Sequence, residues 1–194
     1  MTLLIAAYAE ERSSGVRGKG GQSSVAFEKR RLKTLSYLFS MSYNRLLYHI
    51  VITPWRREAI INQEHERILY KFIYDLSIRQ GAKIWRIGGM PDHVHILCEL
   101  PTKLSVAAFV QHIKSESSKY LKYSSNFANW KKWGRTFGCF TVDYETRDRR
   151  IDYIKNQRIH HATRSFEDEF REMLNITGFS DETVLLGDES LDDE

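Results

Sequence analysis

The stretch Pro91-Asp92-His93-Val94-His95-Ile96-Leu97 constrains this chain more than any other. Pro91 and Asp92 carry turn chemistry, and the residues after them alternate with period two. Val94, Ile96, Cys98 and Leu100 fall on one side, and His93, His95, Leu97 and Glu99 on the other. The run reads as a strand entered from a turn, with Val94 and Ile96 facing a helix-covered core. Two imidazoles on one face of a rigid strand can bind a single divalent metal ion. The competing reading has one histidine filling a polar gap and the other facing water. The short H-x-H spacing alone favours that plainer reading. Asp92 reads first as a turn residue and second as a support behind a metal-bound histidine.

The flanking pattern supplies the other elements. Arg45 to Thr53 is β-branched and aromatic enough for a first strand, ended by Pro54. Residues 61–80 read as a helix with Ile61, His65, Ile68, Leu69, Phe72, Ile73 and Leu76 on one stripe, closed by Gly81. Lys83 to Ile87 is a second strand, and Gly88 to Asp92 the turn before the histidines. Ser105 caps a helix through Leu121, with Val106, Phe109, Val110, Ile113 and Leu121 inward and Lys114, Ser117, Ser118 and Lys119 outward. Asn126 to Gly134 is a loop, Phe137 to Val142 a last strand, and Arg147 to about His161 a helix. Ser165 opens a further helix, with Asp168 completing a capping box and Phe166, Phe170 and Leu174 inward. The order β-α-β-β-α-β-α-α predicts an α+β fold, an antiparallel sheet with helices packed on it.

Charge divides the chain. Of 194 residues, 1–40 carry seven basic and three acidic groups, and 181–194 carry seven acidic groups and no basic one. The body between is basic, which suggests a polyanionic partner such as nucleic acid; ordinary solvated charge is the alternative. Residues 1–40, rich in Gly, Ser and basic groups from Ser13 to Ser24, read as an N-terminal extension, with Met41 as the expected natural start and a basic DNA-binding arm as the other reading. The domain is expected at 41–178 and an acidic tail at 179–194. Cys98 and Cys139 have no metal or redox spacing, so a reducing cytoplasm is the default compartment. No apolar run approaches membrane-spanning length, and Met1 to Ala9 lacks the basic start of a secretory signal.

A helix downstream changes the odds on the histidines. Tyr153 and Gln157 are four apart and share a helical face, while Ile151 and Ile154 anchor the helix. Alone the pair reads as an amphipathic edge. With His93 and His95, the Gln157 amide oxygen makes a three-ligand site with open positions, and Tyr153 supplies a nucleophile beside it. His160 and His161 lie one turn on; they could touch the site, and exposed or phosphate-facing positions are the favoured reading. For DNA contacts the candidates are Arg56, Arg57, Lys114, Lys119, Lys131, Lys132 and Arg135, with Trp130 and Trp133 able to stack on unpaired bases or to fill core.

These residues resemble a known family. His93-Val94-His95 within GGMPDHVHIL, and Tyr153 with Gln157 within YIKNQ, are similar to the two motifs of the HUH-type single-tyrosine transposases of the smallest bacterial insertion sequences and their REP-associated tyrosine transposase relatives. Further similar stretches are YHIVITPWRR at 48–57, IKSESSKYL at 113–121 and FGCFTVDYETRDRRIDYI at 137–154, so the resemblance covers roughly 43–175 in the right order. It implies a ferredoxin-like, RRM-like HUH nuclease fold and a bacterial cytoplasmic enzyme, associated with the nucleoid when bound to DNA. It implies metal-assisted cleavage and rejoining of single-stranded DNA by Tyr153, with Mg²⁺ or Mn²⁺ on His93, His95 and Gln157 and a 5′-phosphotyrosine intermediate. It implies recognition of hairpins at element ends, and a homodimer whose tyrosine helix serves the histidines of its partner. A DNA-binding module without cleavage and a domesticated relative acting at repeats are the alternatives.

Overall fold

The computed structural model describes residues 44–178. The readings made for residues 1–40, for Met41 and for the acidic tail fall outside them.

Four antiparallel strands form the sheet: β1 (Leu47–Ile52), β2 (Lys83–Met90), β3 (His93–Glu99) and β4 (Gly138–Thr141), in the spatial order β2-β3-β1-β4. Helix α1 (Glu66–Arg79) joins β1 to β2, and α2 (Val106–Tyr123) joins β3 to β4. Strands β1 and β2 are thus parallel with β3 between them, the split β-α-β arrangement of ferredoxin-like folds. Three helices follow β4: α3 (Arg147–Lys155), α4 (Gln157–His161) and α5 (Phe166–Ile176). The α+β class and the antiparallel sheet expected from the pattern are both present.

Period-two alternation gives the sheet two unlike faces. Ile50 and Ile52 of β1 and Val94, Ile96 and Cys98 of β3 pack with Leu69, Ile73, Phe109, Val110 and Ile113 of α1 and α2. On the opposite face, Leu47 and Val51 of β1 and Leu97 of β3 meet Ile154, Phe166, Phe170 and Met173 of α3 and α5. His49, His93 and His95 share this second face by register, Val51 pairing with His95 and His49 with Leu97. It is covered rather than open, and all three histidines are buried.

Three boundaries differ from expectation. The first helix begins at Glu66, and Ile61 is buried just before it in a loop. Gly81 is where the spacing put it, at φ +77° past the Gln80 cap. Strand β2 runs on through Gly88, Gly89 and Met90, so the hairpin turn shrinks to Pro91-Asp92. The glycines lie there because neighbours come close. A Cβ on Gly88 would stand 2.9 Å from the Ile154 carbonyl oxygen of α3. The helix expected from Arg147 to His161 breaks at Asn156, whose N–H donates to the Asp152 and Tyr153 carbonyls.

The loop before β4 is more ordered than its composition suggested. Trp133 bridges Pro54, the Trp55 N–H donates to the Lys132 carbonyl at 3.0 Å, and the Gly134 N–H donates to Thr53 at 2.8 Å. Trp130 and Trp133 are 7% and 5% exposed and stack edge to face 4.8 Å apart. Their indole N–H groups donate to Ser118 and Ser117. A buried indole held at its edge offers no face to a base, so of the two readings given for both tryptophans the structure has core filling and not stacking. Ser117, expected outward, is buried beneath Trp133. Lys114, taken as a DNA contact, turns its ammonium to the Gly134 and Thr136 carbonyls at 2.8 and 2.6 Å.

A candidate metal and tyrosine site

Strand β3 supplies both imidazoles, and each is oriented from behind. The His93 Nδ1–H donates to the Asp92 carboxylate at 2.8 Å, which leaves the Nε2 lone pair facing inward. His95 Nδ1 meets His49 Nε2 of β1 at 2.8 Å. His95 Nε2 is buried with no hydrogen-bond partner among the described residues. Burial holds the His49 pKa down to about 3, with the Arg150 and His93 charges adding. Burial also holds His95 well below its ordinary value, with His93 and His49 adding. A neutral imidazole with an unpartnered ring nitrogen, as His95 has, is the form a metal ion requires. Burial opposes the Asp92 carboxylate, yet the His93 hydrogen bond and the Arg57 charge keep its pKa below the usual value.

The chain after β4 closes the face. The Gln157 amide nitrogen donates to Glu169 Oε1 of α5 at 3.1 Å, which turns the amide oxygen toward His93 Nε2 at 3.4 Å. With the His93 proton committed to Asp92, two acceptor atoms face each other there, an arrangement that suits a cation between them. Glu169 Oε1 also accepts from the Tyr153 hydroxyl and lies 3.4 Å from His95 Nε2. His161 Nε2 stands 2.7 Å from Glu169 Oε2, though not aligned as a hydrogen bond. Burial pushes the Glu169 carboxyl up to about 8, the Asp92 charge adding and Arg150 opposing. Ligand atoms of His93, His95 and Glu169 lie within 4.8 Å of one another, all in buried residues. The donor set of two imidazole nitrogens, an amide oxygen and a carboxylate fits a divalent ion.

The structure therefore gathers Tyr153, His93, His95 and Gln157, the four site residues named from sequence, in one chain. The Tyr153 ring stands edge-on to His95 with centroids 6.2 Å apart, beside His160 at 5.2 Å and under the Arg150 guanidinium. His161, read as exposed or phosphate-facing with contact to the site as the alternative, packs 4.9 Å from His93. Arg57 borders the site. Its guanidinium lies 3.6 Å from Asp92 and 2.7 Å from Glu167, over the Phe166 ring. Arg56 and Arg57 both hold φ above +50°, a left-handed turn that non-glycine residues enter at a cost. The remaining basic candidates are dispersed. Lys119 pairs with Glu116, Lys131 with Glu58, Lys132 sits over the Trp55 ring, and Arg135 is exposed.

Two site residues were not picked out from the sequence, His49 and Glu169. The signal for Glu169 was present: it sits inside the apolar stripe of Phe166, Phe170 and Met173 at helical spacing. His49 likewise interrupts an otherwise apolar strand between Leu47 and Val51.

A ferredoxin-like sheet with an H-x-H strand under a tyrosine helix defines a single-tyrosine transposase of the HUH class. The profile of the family described as "Transposase IS200 like" matches residues 42–157, and the chain belongs to that family. The chain is 30% identical over 114 residues to the transposase for insertion sequence element IS200 of Salmonella typhimurium, covering 57% of this chain and 75% of that protein. It is 24% identical over 118 residues to the ISDra2 transposase TnpA of Deinococcus radiodurans, covering 58% of this chain and 84% of that one. A solved structure of a REP-associated tyrosine transposase bound to a REP hairpin aligns with a TM-score of 0.48 at 15% identity, over 62% of this chain and 72% of that one. The family match ends at Gln157, so Glu169 and α5 lie beyond it. Among the described residues no helix is long and apolar enough to cross a membrane.

Proposed function

We propose that this transposase cleaves and rejoins single-stranded DNA through a covalent 5′-phosphotyrosine at Tyr153. The observation that carries the reading is the Tyr153 hydroxyl on Glu169, beside a buried set in which His95 Nε2 has no hydrogen-bond partner among the described residues and His93 Nε2 stands 3.4 Å from the Gln157 amide oxygen. His93 Nε2, His95 Nε2 and Gln157 Oε1 would hold a divalent ion, Mg²⁺ or Mn²⁺, with Glu169 in reach. The ion supplies charge neutralisation at a bound phosphate.

The chain's own groups do the rest. Tyrosine has a pKa of about 10 and is a weak nucleophile at neutral pH, so its proton needs an acceptor. Glu169 Oε1 already accepts the Tyr153 hydroxyl, and with its carboxyl pushed up to about 8 its ionised form is a base strong enough to take that proton. As Tyr153 Oη attacks phosphorus, the Oη–P bond forms, the P–O3′ bond breaks, and the departing 3′ oxygen takes up a proton. The phosphotyrosine retains the ester linkage, so a 3′-hydroxyl from another strand can attack it and rejoin without a nucleotide cofactor. Burial of the set excludes the water that would divert this ester to hydrolysis. Hairpins at element ends are the proposed recognition elements, as in the resembling family. A homodimer is the proposed assembly, and exchange of the segment from α3 to α5 would bring Tyr153, Gln157 and Glu169 together to a partner's histidines.

The test is a covalent adduct. Labelled single-stranded DNA from an element end, incubated with Mg²⁺ and the protein, should give a species resistant to denaturing gel electrophoresis. Tyr153→Phe should abolish it while hairpin binding stays nearly unchanged. Persistence of the adduct in Tyr153→Phe would assign the nucleophile to another of the ten tyrosines.

A further inference from the structure

A second concave site lies behind Gln157, at the β2 edge of the sheet. It is a cleft of about 330 Å³ between α1, on one side of the sheet, and the α3–α4 junction, on the other. That volume is at the lower end of the range for small-ligand sites. Its strand wall includes Gly88 and Gly89, so part of that wall is bare backbone, and Gln157 forms the wall toward the histidines. Four cations line it, Arg67, Arg86, Lys155 and Arg158, against one carboxylate, Glu66.

The charges are not balanced internally. Arg158 pairs with Glu66 at 2.7 Å, a bridge that ties α4 to α1 around the sheet edge. That uses the carboxylate, and Arg67, Arg86 and Lys155 make no ion pair among the described residues. Arg86 Nε is buried without a hydrogen-bond partner, and the Tyr70 hydroxyl stands beside the Glu66 carboxylate. A buried guanidinium nitrogen left unsatisfied beside uncompensated cations calls for an acceptor-rich anion. A guanidinium, an ammonium and a phenol next to bare backbone suit a phosphate with a flat ring against it.

We propose that this cleft binds one nucleotide of the single-stranded substrate, the one flanking the phosphate presented to Tyr153. Its phosphate lies on Arg86 and Lys155, and its base lies toward Tyr70. The assignment rests on the cleavage reading above, because Gln157 is the wall shared by the two sites.

The experiment follows binding of fluorescein-labelled oligothymidylate to the full chain by anisotropy across a salt series. Arg86→Gln and Lys155→Gln should each weaken binding about fivefold near 0.1 M salt and lower the salt slope by about 0.7, the loss of one single-strand phosphate contact. Lys103→Gln and Lys122→Gln, equal charge changes at exposed positions outside the cleft, should leave both unchanged. Lys155 is exposed at a helix end, so its variant keeps the test open if Arg86→Gln misfolds. Thymidine 5′-monophosphate should displace the probe at lower concentration than inorganic phosphate. Cleft variants that behave like the two controls would overturn the proposal, and so would equal displacement by phosphate and the mononucleotide. The Tyr153 adduct is scored in parallel. An intact adduct with unaffected cleft variants removes only the cleft; cleft-dependent binding without any adduct removes only the cleavage reading.

Discussion

Glu169 is buried where an ionised carboxylate is costly, and it serves several partners at once. It accepts from the Tyr153 hydroxyl and the Gln157 amide, and it stands against His95 and His161. Replacement by glutamine keeps the shape and removes the proton acceptor. Glu169→Gln should therefore slow adduct formation by about 10²-fold, the lower end for losing a positioned base, while the fold stays intact by circular dichroism. An unchanged rate would leave Glu169 as a packing residue only. Spacing put His93 with His95 and Tyr153 with Gln157 on shared faces, because period two and a four-residue step fix which side chains align, and the pairs taken together with the family resemblance suggested one site. Glu169 was not legible, because a helical stripe says that a side chain points inward and not what it meets. His49 shows the same limit, since only the β1–β3 register brings it to His95. Trp130 and Trp133 show the converse. Their basic neighbours suggested a surface role, and the cross-connection of Trp133 to Pro54 drew them into the core.

At the scale of elements, α3 carries Tyr153, the proposed nucleophile, and its seat is the bare backbone of β2. Gly88 pairs with His95 in the sheet and receives Ile154, the residue after Tyr153. The sequence placed these glycines in a turn, since glycine is depleted from strands. What overrode that preference was the need for a helix backbone to approach a strand closely. Gly88→Ala sets a methyl 2.9 Å from the Ile154 carbonyl and 3.0 Å from its side chain. Neither the carbonyl nor a fully packed isoleucine can yield without moving α3, so the substitution should destabilise the protein by about 1–3 kcal/mol. Thermal unfolding would show this as a fall of several degrees in Tm. The adduct rate should fall with it, because the displaced helix carries Tyr153; a wild-type Tm would show that α3 has slack against β2.

For the whole molecule, the open question is whether one chain makes one site. Resemblance implied a tyrosine helix exchanged between partners. In the structure Tyr153, Gln157 and Glu169 reach His93 and His95 of their own chain, and the link to α3 is held down. Tyr144 in that link lies under Arg45 at 3.9 Å and against Trp85 and Arg147. Heterodimers of His93→Ala and Tyr153→Phe chains separate the arrangements, since on the proposed chemistry each variant alone should be inactive. If sites are complete within a chain, every site carries one lesion, and cleavage should stay absent; the intrachain contacts make this the expected result. If helices are exchanged, one site of each heterodimer carries both lesions and the other none. Cleavage would then return to about half per dimer for independent, equal sites. Recovery to that level in verified heterodimers would show that the contacts to Tyr144 release α3 in the cleaving assembly.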